Sequence, residues 1–302
     1  MAFNLNLLKK WTDMLMGKSI LHVDQGPGRF YSKNEVLGFY NDLREKVYKS
    51  DDSSSTIPVT KTDDGKEIYF TIAIAQYGLA AFDIYLETKR EYYFNIALDC
   101  AKWLSDNQEE AGGWDTFGYI YPDHPYSAMA QSEAACLFMR LYTVTNDDEY
   151  LIRAKKALLF MLIPIEQGGC TKYDGDDVYL CEYTDPSRSV VLNGWIFSIW
   201  GLYDYLKIAK DDQIEQAYCN TLRTLCNSLH RFDTKYWSLY DLSKRITSPF
   251  YHKLHLAQLE VMYDLTGEKI FDEYYQLWNK YQKSFWNPKR AFVTKVIQKL
   301  SE

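Results

Sequence analysis

Four apolar segments with helical spacing recur along the chain, and a tyrosine lies at or near the end of each. They read FTIAIAQYGLAAFDIY, YSAMAQSEAACLFMRLY, VLNGWIFSIWGLYDY and YHKLHLAQLEVMYDL. The tyrosines recur at intervals of 57, 63 and 58 residues and are Tyr85, Tyr142, Tyr205 and Tyr263. A polar turn and a second, amphipathic segment such as FNIALDCAKWLSDN or LIRAKKALLFML follow each of them. The pattern predicts four helical hairpins.

The two helices of each predicted hairpin differ in polarity. The first is rich in small residues and nearly apolar all round, as an inner helix should be, whereas the second is amphipathic. We therefore predict an all-α fold, an incomplete (α/α) toroid of about four helical hairpins over residues 67–302. Residues 1–66 are predicted to form an N-terminal helix and a polar loop or hairpin, a short irregular or β segment. The long loops that lead into the inner helices should line one mouth of the toroid.

Composition narrows the classes of partner. The 34 basic and 41 acidic residues give a formal charge of −7, which is not typical of a nucleic-acid-binding protein. Aromatic residues make up 16% of the chain, and aromatic rings stack on the apolar faces of sugars. The six cysteines are scattered, and neither a secretion signal nor an apolar stretch of about 18 residues is present. We expect a cytoplasmic, bacterial protein without a membrane span.

Motifs of several common enzyme chemistries are missing from the sequence. It contains no P-loop, no G-x-G-x-x-G after a strand, no H-E-x-x-H and no G-x-S-x-G. His252 and His255 are spaced i, i+3 on a predicted helix, but no third metal ligand is evident. The sequence therefore predicts neither a metal nor a cofactor.

Six motifs occur in a fixed order along the chain: IAQYGL, GGW, YSAMAQ, EYTDPSRSVVLNGWIFSIWGLYD, YWSLYDL and YHKLHLAQL. Together they resemble one known family, the C-terminal domain of the D-glucuronyl C5-epimerases. The resemblance extends from about residue 70 to residue 280. Enzymes of this family convert glucuronate to iduronate within heparan-type chains. The chain mostly lacks the β-rich N-terminal region of the animal members. The resemblance therefore leaves two candidates for a further part of the substrate-binding surface, a second domain or the partner subunit of a homodimer.

The resemblance implies which residues carry the reaction. Glu182 and Tyr251 match the family's proton-transfer pair, and Tyr183 and Tyr240 match tyrosines that donate hydrogen bonds to the substrate carboxylate. Epimerisation at carbon 5 needs a proton-transfer group on each face of the ring and donors for the charge of the intermediate. A tyrosine titrates near 10, so Tyr251 is a proton donor unless a cation lowers its pKa.

Several neighbours of these residues complete the expected site. His252, Lys253 or Arg245 could supply the cation beside Tyr251. Where the family reads Y-D-L-R-H, this chain reads YDLSKR, so Ser243 replaces the expected arginine. The cation must then come from Lys244, Arg245 or Arg188, which suggests a substrate without the family's sulfate groups. The remaining motif residues taken as substrate-binding candidates are His252, His255, Asn193, Tyr126, Gln131 and Trp114.

Two local features need the structure to resolve them. Adjacent residues of an extended segment point to opposite sides, so Glu182 and Tyr183 can both face the sugar only if their loop turns sharply. Asn193 and Gly194 are also explained by the start of a helix and by close packing.

Three functions remain open from the sequence. The first is an epimerase that converts glucuronate to iduronate in an anionic, heparosan-like or capsular polysaccharide. The second is a uronate polysaccharide lyase of toroid fold, which begins with the same proton abstraction and then expels the substituent at carbon 4. The third is a non-catalytic carbohydrate-binding protein in which the aromatic residues stack on sugars.

Overall fold

The computed structural model describes residues 23–50, 57–62 and 64–301. The N-terminal helix expected within the first 22 residues lies outside this described part of the chain. A single turn of helix, α1, spans Glu45–Tyr48. Strand β1 (Thr60–Lys61) pairs with β2 (Glu67–Ile68) in a short antiparallel hairpin. A second antiparallel hairpin consists of β3 (Thr171–Asp174) and β4 (Asp177–Leu180). The longer helices are α2 (Thr71–Thr88), α3 (Glu91–Asn107), α4 (Ala128–Thr145), α5 (Asp148–Met161), α6 (Leu192–Ile208), α7 (Asp212–Ser228), α8 (Pro249–Thr266), α9 (Lys269–Lys283) and α10 (Asn287–Ser301).

Eight of these helices form the four hairpins predicted from the sequence. Helices α2, α4, α6 and α8 are each followed by an antiparallel partner, and they pack in order, α2 on α4, α4 on α6 and α6 on α8. Almost every residue of α6 is buried, whereas α9 buries only Phe271 and Trp278. The all-α, incomplete (α/α) toroid is confirmed, with α2, α4, α6 and α8 as the inner helices.

The repeated tyrosines mark the same structural position in each inner helix. The backbone N–H of the residue that caps the helix donates to the tyrosine carbonyl four residues earlier, at Tyr85, Tyr142, Tyr205 and Tyr263. Three of these caps, at Lys89, Asn146 and Gly267, adopt the left-handed conformation that ends a helix. The tyrosine interval in the sequence is therefore the repeat length of the fold.

The segment before the first hairpin packs into the same core as the helices. Val36, Phe39, Tyr40 and Leu43 are buried there, and the backbone N–H of Phe39 donates to the carboxylate of Asp83 in α2 at 3.0 Å. Helix α1 follows directly, so its position is set by contacts with the inner helices. In the described part of the chain, none of the helices is long and apolar enough to span a membrane.

A fully buried ion pair links this segment to two inner helices. Arg140 of α4 donates to Asp204 of α6 at 2.7 Å and to the carbonyl of Gly38 at 2.9 Å. The hydroxyl of Tyr40 also donates to Asp204, and Lys207 donates to that hydroxyl at 2.8 Å. Burial alone would raise the pKa of Asp204, but the charges of Arg140 and Lys207 hold it below its usual value. The carboxylate is thus ionised and fully paired.

Loss of this carboxylate should destabilise the fold strongly. Asp204→Asn leaves the buried Arg140 charge uncompensated, and we expect a loss of about 3–5 kcal/mol in the free energy of unfolding. Asp106→Asn removes an exposed i, i+4 pair with Lys102 and should cost less than about 0.5 kcal/mol. Urea titration at pH 7 measures both; equal losses in the two variants would contradict the role given to Asp204.

Candidate active site

A cleft of about 180 Å³ lies where the four inner helices begin. Glu182, Tyr183 and Tyr251 line it, together with Lys46 and Gln25 from the segment before the first hairpin. Every inner helix contributes side chains from its first six residues, namely Ile72, Ala73, Gln76, Met129, Asn193, Phe197, Phe250, Tyr251 and Leu254. The cleft therefore sits at the axis of the toroid, at the mouth predicted from the long loops.

Four helix N-termini facing one cleft favour a negatively charged ligand. The partial positive charge of a helix resides in its first turn, where backbone N–H groups have no helical acceptor. Ser127 and Ser248 cap α4 and α8 with side-chain oxygens, but the residues that precede α2 and α6, Phe70 and Val191, make no side-chain cap hydrogen bond. This geometry suits an anion such as a uronate.

Glu182 is positioned by a loop that is tied down on both sides. The loop follows strand β4, and the carbonyl of Cys181 accepts from the backbone N–H of Ala128 at 2.9 Å. The hydroxyl of Thr184 donates to the carbonyls of His124 (3.1 Å) and Tyr126 (3.2 Å). The backbone bends at Glu182, so Glu182 and Tyr183 both line the cleft. The sharp turn that the sequence required is present.

A glycine of α6 makes room for the carboxylate. A Cβ on Gly194 would lie 2.7 Å from Glu182 Cβ and in steric conflict with Glu182 Oε2. Glu182 is only 6% exposed, and its Oε2 has no hydrogen-bond partner among the described residues. The close packing expected of Gly194 is confirmed, and it presses Glu182 against the helix with one oxygen unsatisfied.

Burial makes Glu182 a much weaker acid than an exposed glutamate. Desolvation raises its pKa to about 7, although hydrogen bonds from Tyr183 and Tyr240 and the charges of Arg188 and Arg245 act in the opposite direction. Near neutral pH the carboxyl group is present in both protonation states. This is the range in which a group transfers protons best at physiological pH.

Three tyrosines surround the carboxylate and keep their protons. The rings of Tyr240 and Tyr251 meet edge to face at 4.9 Å between centroids, and Tyr183 stacks on Phe117 at 4.5 Å. Burial and the nearby Glu182 charge raise the pKa of all three hydroxyls above the usual value for tyrosine. At neutral pH they are hydrogen-bond and proton donors.

Comparison with known proteins identifies the family. The family described as D-glucuronyl C5-epimerase C-terminus matches residues 116–280, more than half of the chain. The chain belongs to this family.

Individual relatives are distant and longer than the part that matches. The D-glucuronyl C5-epimerase of Caenorhabditis elegans is 26% identical over 64% of this chain and 36% of its own length. An uncharacterised protein of Methanocaldococcus jannaschii is 29% identical over 50% of this chain and 51% of its own. The chain thus spans about a third to a half of the curated relatives that it matches.

A solved structure shares the fold at low sequence identity. Cellobiose 2-epimerase from Spirochaeta thermophila DSM 6192 superposes with a TM-score of 0.53 and 9% identity, over 93% of this chain and 86% of that one. At this identity the likeness concerns the helical toroid alone.

Two of the three cations expected to replace the family arginine lie beside the tyrosines. The guanidinium of Arg188 lies over the Tyr183 ring at 4.5 Å, and that of Arg245 lies 5.5 Å from the Tyr240 ring while its Nε donates to Asp241 at 2.5 Å. Ser243, at the arginine position of the family, donates to Asp241 at 2.7 Å. None of the three cations is among the residues that line the cleft, and the side chain of Lys244 is exposed, so a role for Lys244 in substrate binding stays a prediction.

The histidines of the family motif lie in the core and not at the cleft. His252 is stacked on Trp237 at 3.6 Å and contacts Ser238 Oγ at 2.8 Å, and His255 contacts the same oxygen at 3.2 Å. Burial lowers their pKa values to about 4 and about 3, so both are neutral at pH 7. The assignment of both histidines to substrate binding is wrong, and His252 supplies no cation to Tyr251.

Lys253 also contributes nothing to Tyr251. It is half exposed, and its ammonium group faces Asp24 at 3.9 Å. The pKa of Tyr251 is raised and not lowered, which leaves this residue in the role of a proton donor.

Three further candidates serve the fold. Trp114 is buried and its indole N–H donates to the carbonyl of Leu104 at 2.9 Å. Gln131 is fully buried in α4, and neither it nor Trp114 is among the cleft residues. Tyr126 donates to Glu109 at 2.8 Å, outside the cleft. Their placement corrects the expectation that they bind substrate, whereas Asn193 does line the cleft.

Sequence reasoning missed three polar residues at the axis of the toroid. Lys46 lies in the segment that was predicted to form an N-terminal helix and a polar loop or hairpin, and Gln76 and Glu133 lie within largely apolar inner helices. A glutamate and a glutamine on otherwise apolar inner helices were the available signal, because such groups are rarely buried without a partner. Among the described residues, no group of three or more His, Cys, Asp or Glu side chains could hold a metal ion.

Removal of the Glu182 charge should stabilise the fold in a pH-dependent manner. Because the folded-state pKa is about 7 against the ordinary glutamate value of 4.5, the folded state loses stability as the pH rises through this window. Glu182→Gln removes that loss. The free energy of unfolding of this variant minus that of the parent should therefore be about 2 kcal/mol larger at pH 8 than at pH 5. Urea titrations at the two pH values measure the difference. The exposed Glu149→Gln is the control, and a constant difference for Glu182→Gln would rule out the buried, weakly acidic carboxyl.

Proposed function

We propose that the protein is a carbohydrate epimerase that inverts carbon 5 of D-glucuronate to L-iduronate within a heparosan-like or capsular polysaccharide. The observation that supports this most is the combination of two groups in one cleft. Glu182 has a pKa near 7 and can accept a proton, and Tyr251 keeps its proton and can donate one. A reaction that removes a proton from one face of a sugar and adds one to the other needs such a pair.

The first half of the reaction is proton removal. The carboxylate of Glu182 takes the proton from carbon 5, and the electron pair of the C–H bond moves into the bond between carbon 5 and the carboxylate carbon. The resulting enolate carries one more negative charge than the substrate. Hydrogen bonds from the Tyr183 and Tyr240 hydroxyls and the N-termini of the inner helices stabilise that charge.

The second half is proton delivery from the other face. Tyr251 gives its hydroxyl proton to carbon 5, and the electron pair returns from the enolate to form the new C–H bond. Glu182 then holds the proton taken from the substrate and Tyr251 is a phenolate. Exchange with solvent restores both groups, so deuterium from heavy water should enter carbon 5.

Isotope exchange tests the reaction directly. The protein is incubated with heparosan in deuterium oxide and the carbon-5 proton is followed by NMR; we expect this signal to be lost without chain cleavage. Glu182→Gln and Tyr251→Phe should each reduce the exchange rate by about a thousandfold or more, since each removes one proton-transfer group. The surface variants Glu149→Gln and Tyr92→Phe are matched controls with unchanged exchange.

Two results would oppose the proposal. A product that absorbs in the ultraviolet and accumulates with chain cleavage would identify a lyase, because elimination at carbon 4 creates a double bond. Absence of exchange with heparosan and with capsular glucuronate polymers, together with binding that survives both active-site substitutions, would identify a carbohydrate-binding protein.

The activity should follow the ionisation of Glu182. Below its pKa of about 7 the carboxyl group is protonated, so kcat/KM should rise about tenfold per pH unit up to that value and then level off. Since the charge of Arg188 lowers the pKa of Glu182, Arg188→Met should move the rise to higher pH. Rates of exchange between pH 5 and pH 9 measure both curves. A rise at the same pH in Arg188→Met would contradict the coupling between the two residues.

A further inference from the structure

A buried lysine lies in the wall of the cleft, outside the region that matches the family. Lys46 belongs to α1 and is only 7% exposed. It lines the cleft together with Glu182 and Tyr251. Among the described residues that line the cleft, Lys46 is the only one with a cationic side chain.

A polar pair from two inner helices lies close to this lysine. Gln76 of α2 donates to Glu133 Oε1 of α4 at 2.8 Å, and both residues occupy the sixth position of their helix. Glu133 is completely buried, and its Oε2 has no hydrogen-bond partner within the described ranges. The charge of Glu133 acts on Lys46, and that of Lys46 acts on Glu133. The axis of the toroid therefore holds a lysine and a glutamate that are both removed from water and interact electrostatically.

Burying two ionisable side chains does not favour the folded state. Their presence at the axis therefore indicates a function. Burial lowers the pKa of Lys46 to about 8 and raises the pKa of Glu133 to about 8, although each group partly offsets the shift of the other. Apolar residues of similar size would usually be as stable or more stable in place of a buried ion pair. Ionisable groups with perturbed pKa values beside a cleft are typical of functional sites.

The guanidinium groups near the tyrosines lie outside this cleft. Arg188 lies over the Tyr183 ring, and Arg245 is paired with Asp241. Neither of them lines the cleft that Glu182 and Tyr251 share. A uronate placed with carbon 5 between Glu182 and Tyr251 brings its carboxylate into that cleft, where Lys46 is the one cationic side chain among the described lining residues.

We propose that Lys46 binds the carboxylate of the reacting uronate and stabilises the additional negative charge of the enolate. This role rests on the proposed epimerase function. The Lys46 ammonium gains an anionic partner when the substrate binds, and the interaction strengthens as charge moves from carbon 5 onto the carboxylate oxygens. The segment before the first hairpin thereby contributes the residue that distinguishes uronates from neutral sugars.

Binding measurements with a charged and a neutral ligand test this role without turnover. The ligands are a heparosan hexasaccharide and its carboxyl-reduced form, in which glucose replaces each glucuronate. Calorimetry is done in the Glu182→Gln background at pH 7, where proton abstraction is blocked. We expect the Glu182→Gln protein, the parent in this experiment, to bind the heparosan hexasaccharide at least about tenfold more tightly than the carboxyl-reduced form. One charge-assisted contact provides a difference of this size. Adding Lys46→Met should abolish that preference and leave the affinity for the neutral ligand unchanged.

A neighbouring lysine of the same segment provides the matched control. Lys49 lies one turn further on, is largely exposed and pairs with Glu45 at 2.9 Å, so Lys49→Met should keep the full preference. Lys46→Arg keeps the charge and should keep part of the preference. Thermal unfolding verifies that each variant is folded, and Lys46→Gln replaces Lys46→Met if the latter is not.

Kinetics of the protein with Glu182 intact give a second readout. Lys46→Met should raise KM about tenfold and lower kcat as well, so that kcat/KM falls by about a hundredfold or more. A change in KM alone would limit Lys46 to ground-state binding and overturn its role toward the enolate.

The outcomes separate this proposal from the proposed function. A preference for the charged ligand that persists in Lys46→Met would overturn the role of Lys46, even where carbon-5 exchange in the wild-type protein is intact. The role of Lys46 would also be overturned if the Glu182→Gln protein bound the charged and the neutral ligand equally. Loss of the preference in Lys46→Met, with no carbon-5 exchange in the wild-type protein, would support Lys46 as a uronate-binding residue while the epimerase reaction fails.

Discussion

The chemistry of the cleft depends on the burial of one carboxylate, Glu182, at the axis of the toroid. Moving an ionised carboxylate out of water is costly unless hydrogen bonds and opposite charges compensate for it. The compensation here is incomplete, because one oxygen of Glu182 has no hydrogen-bond partner among the described residues and the side chain packs directly against Gly194. The chemical consequence is a carboxyl group that gains and loses a proton near pH 7.

The toroid creates this environment through the direction of its helices. All four inner helices begin at the cleft, so the positive ends of their dipoles lie around the same small volume. An anionic ligand gains from this field, and the enolate of a uronate gains more, since it carries a further charge. The ion pair between Arg140 and Asp204 places further charges between α4 and α6, and the hydrogen bond from Arg140 to the carbonyl of Gly38 joins the segment before the first hairpin to them.

Much of the fold could be predicted from the sequence, because the apolar spacing recurs in four segments and the four tyrosines are separated by three similar intervals. The tyrosines end the inner helices for a simple reason: a repeated unit has its helix terminus at a repeated position. The candidate site was predicted less completely. Glu182, Tyr183, Tyr251 and Asn193 line the cleft, whereas His252, His255, Trp114 and Gln131 are core residues that belong to the same motifs. A motif near a site contains residues that build the fold as well as residues that face the ligand.

The sequence by itself determined the helical hairpins, their number and the loop that carries Glu182, since periodicity and turn residues are local properties of the chain. Only the tertiary structure decided which polar groups meet at the axis. Lys46, Gln76, Glu133 and Glu182 come from four separate parts of the chain, and no spacing in the sequence relates them. Their protonation depends on burial, which exists only after the inner helices have packed around them.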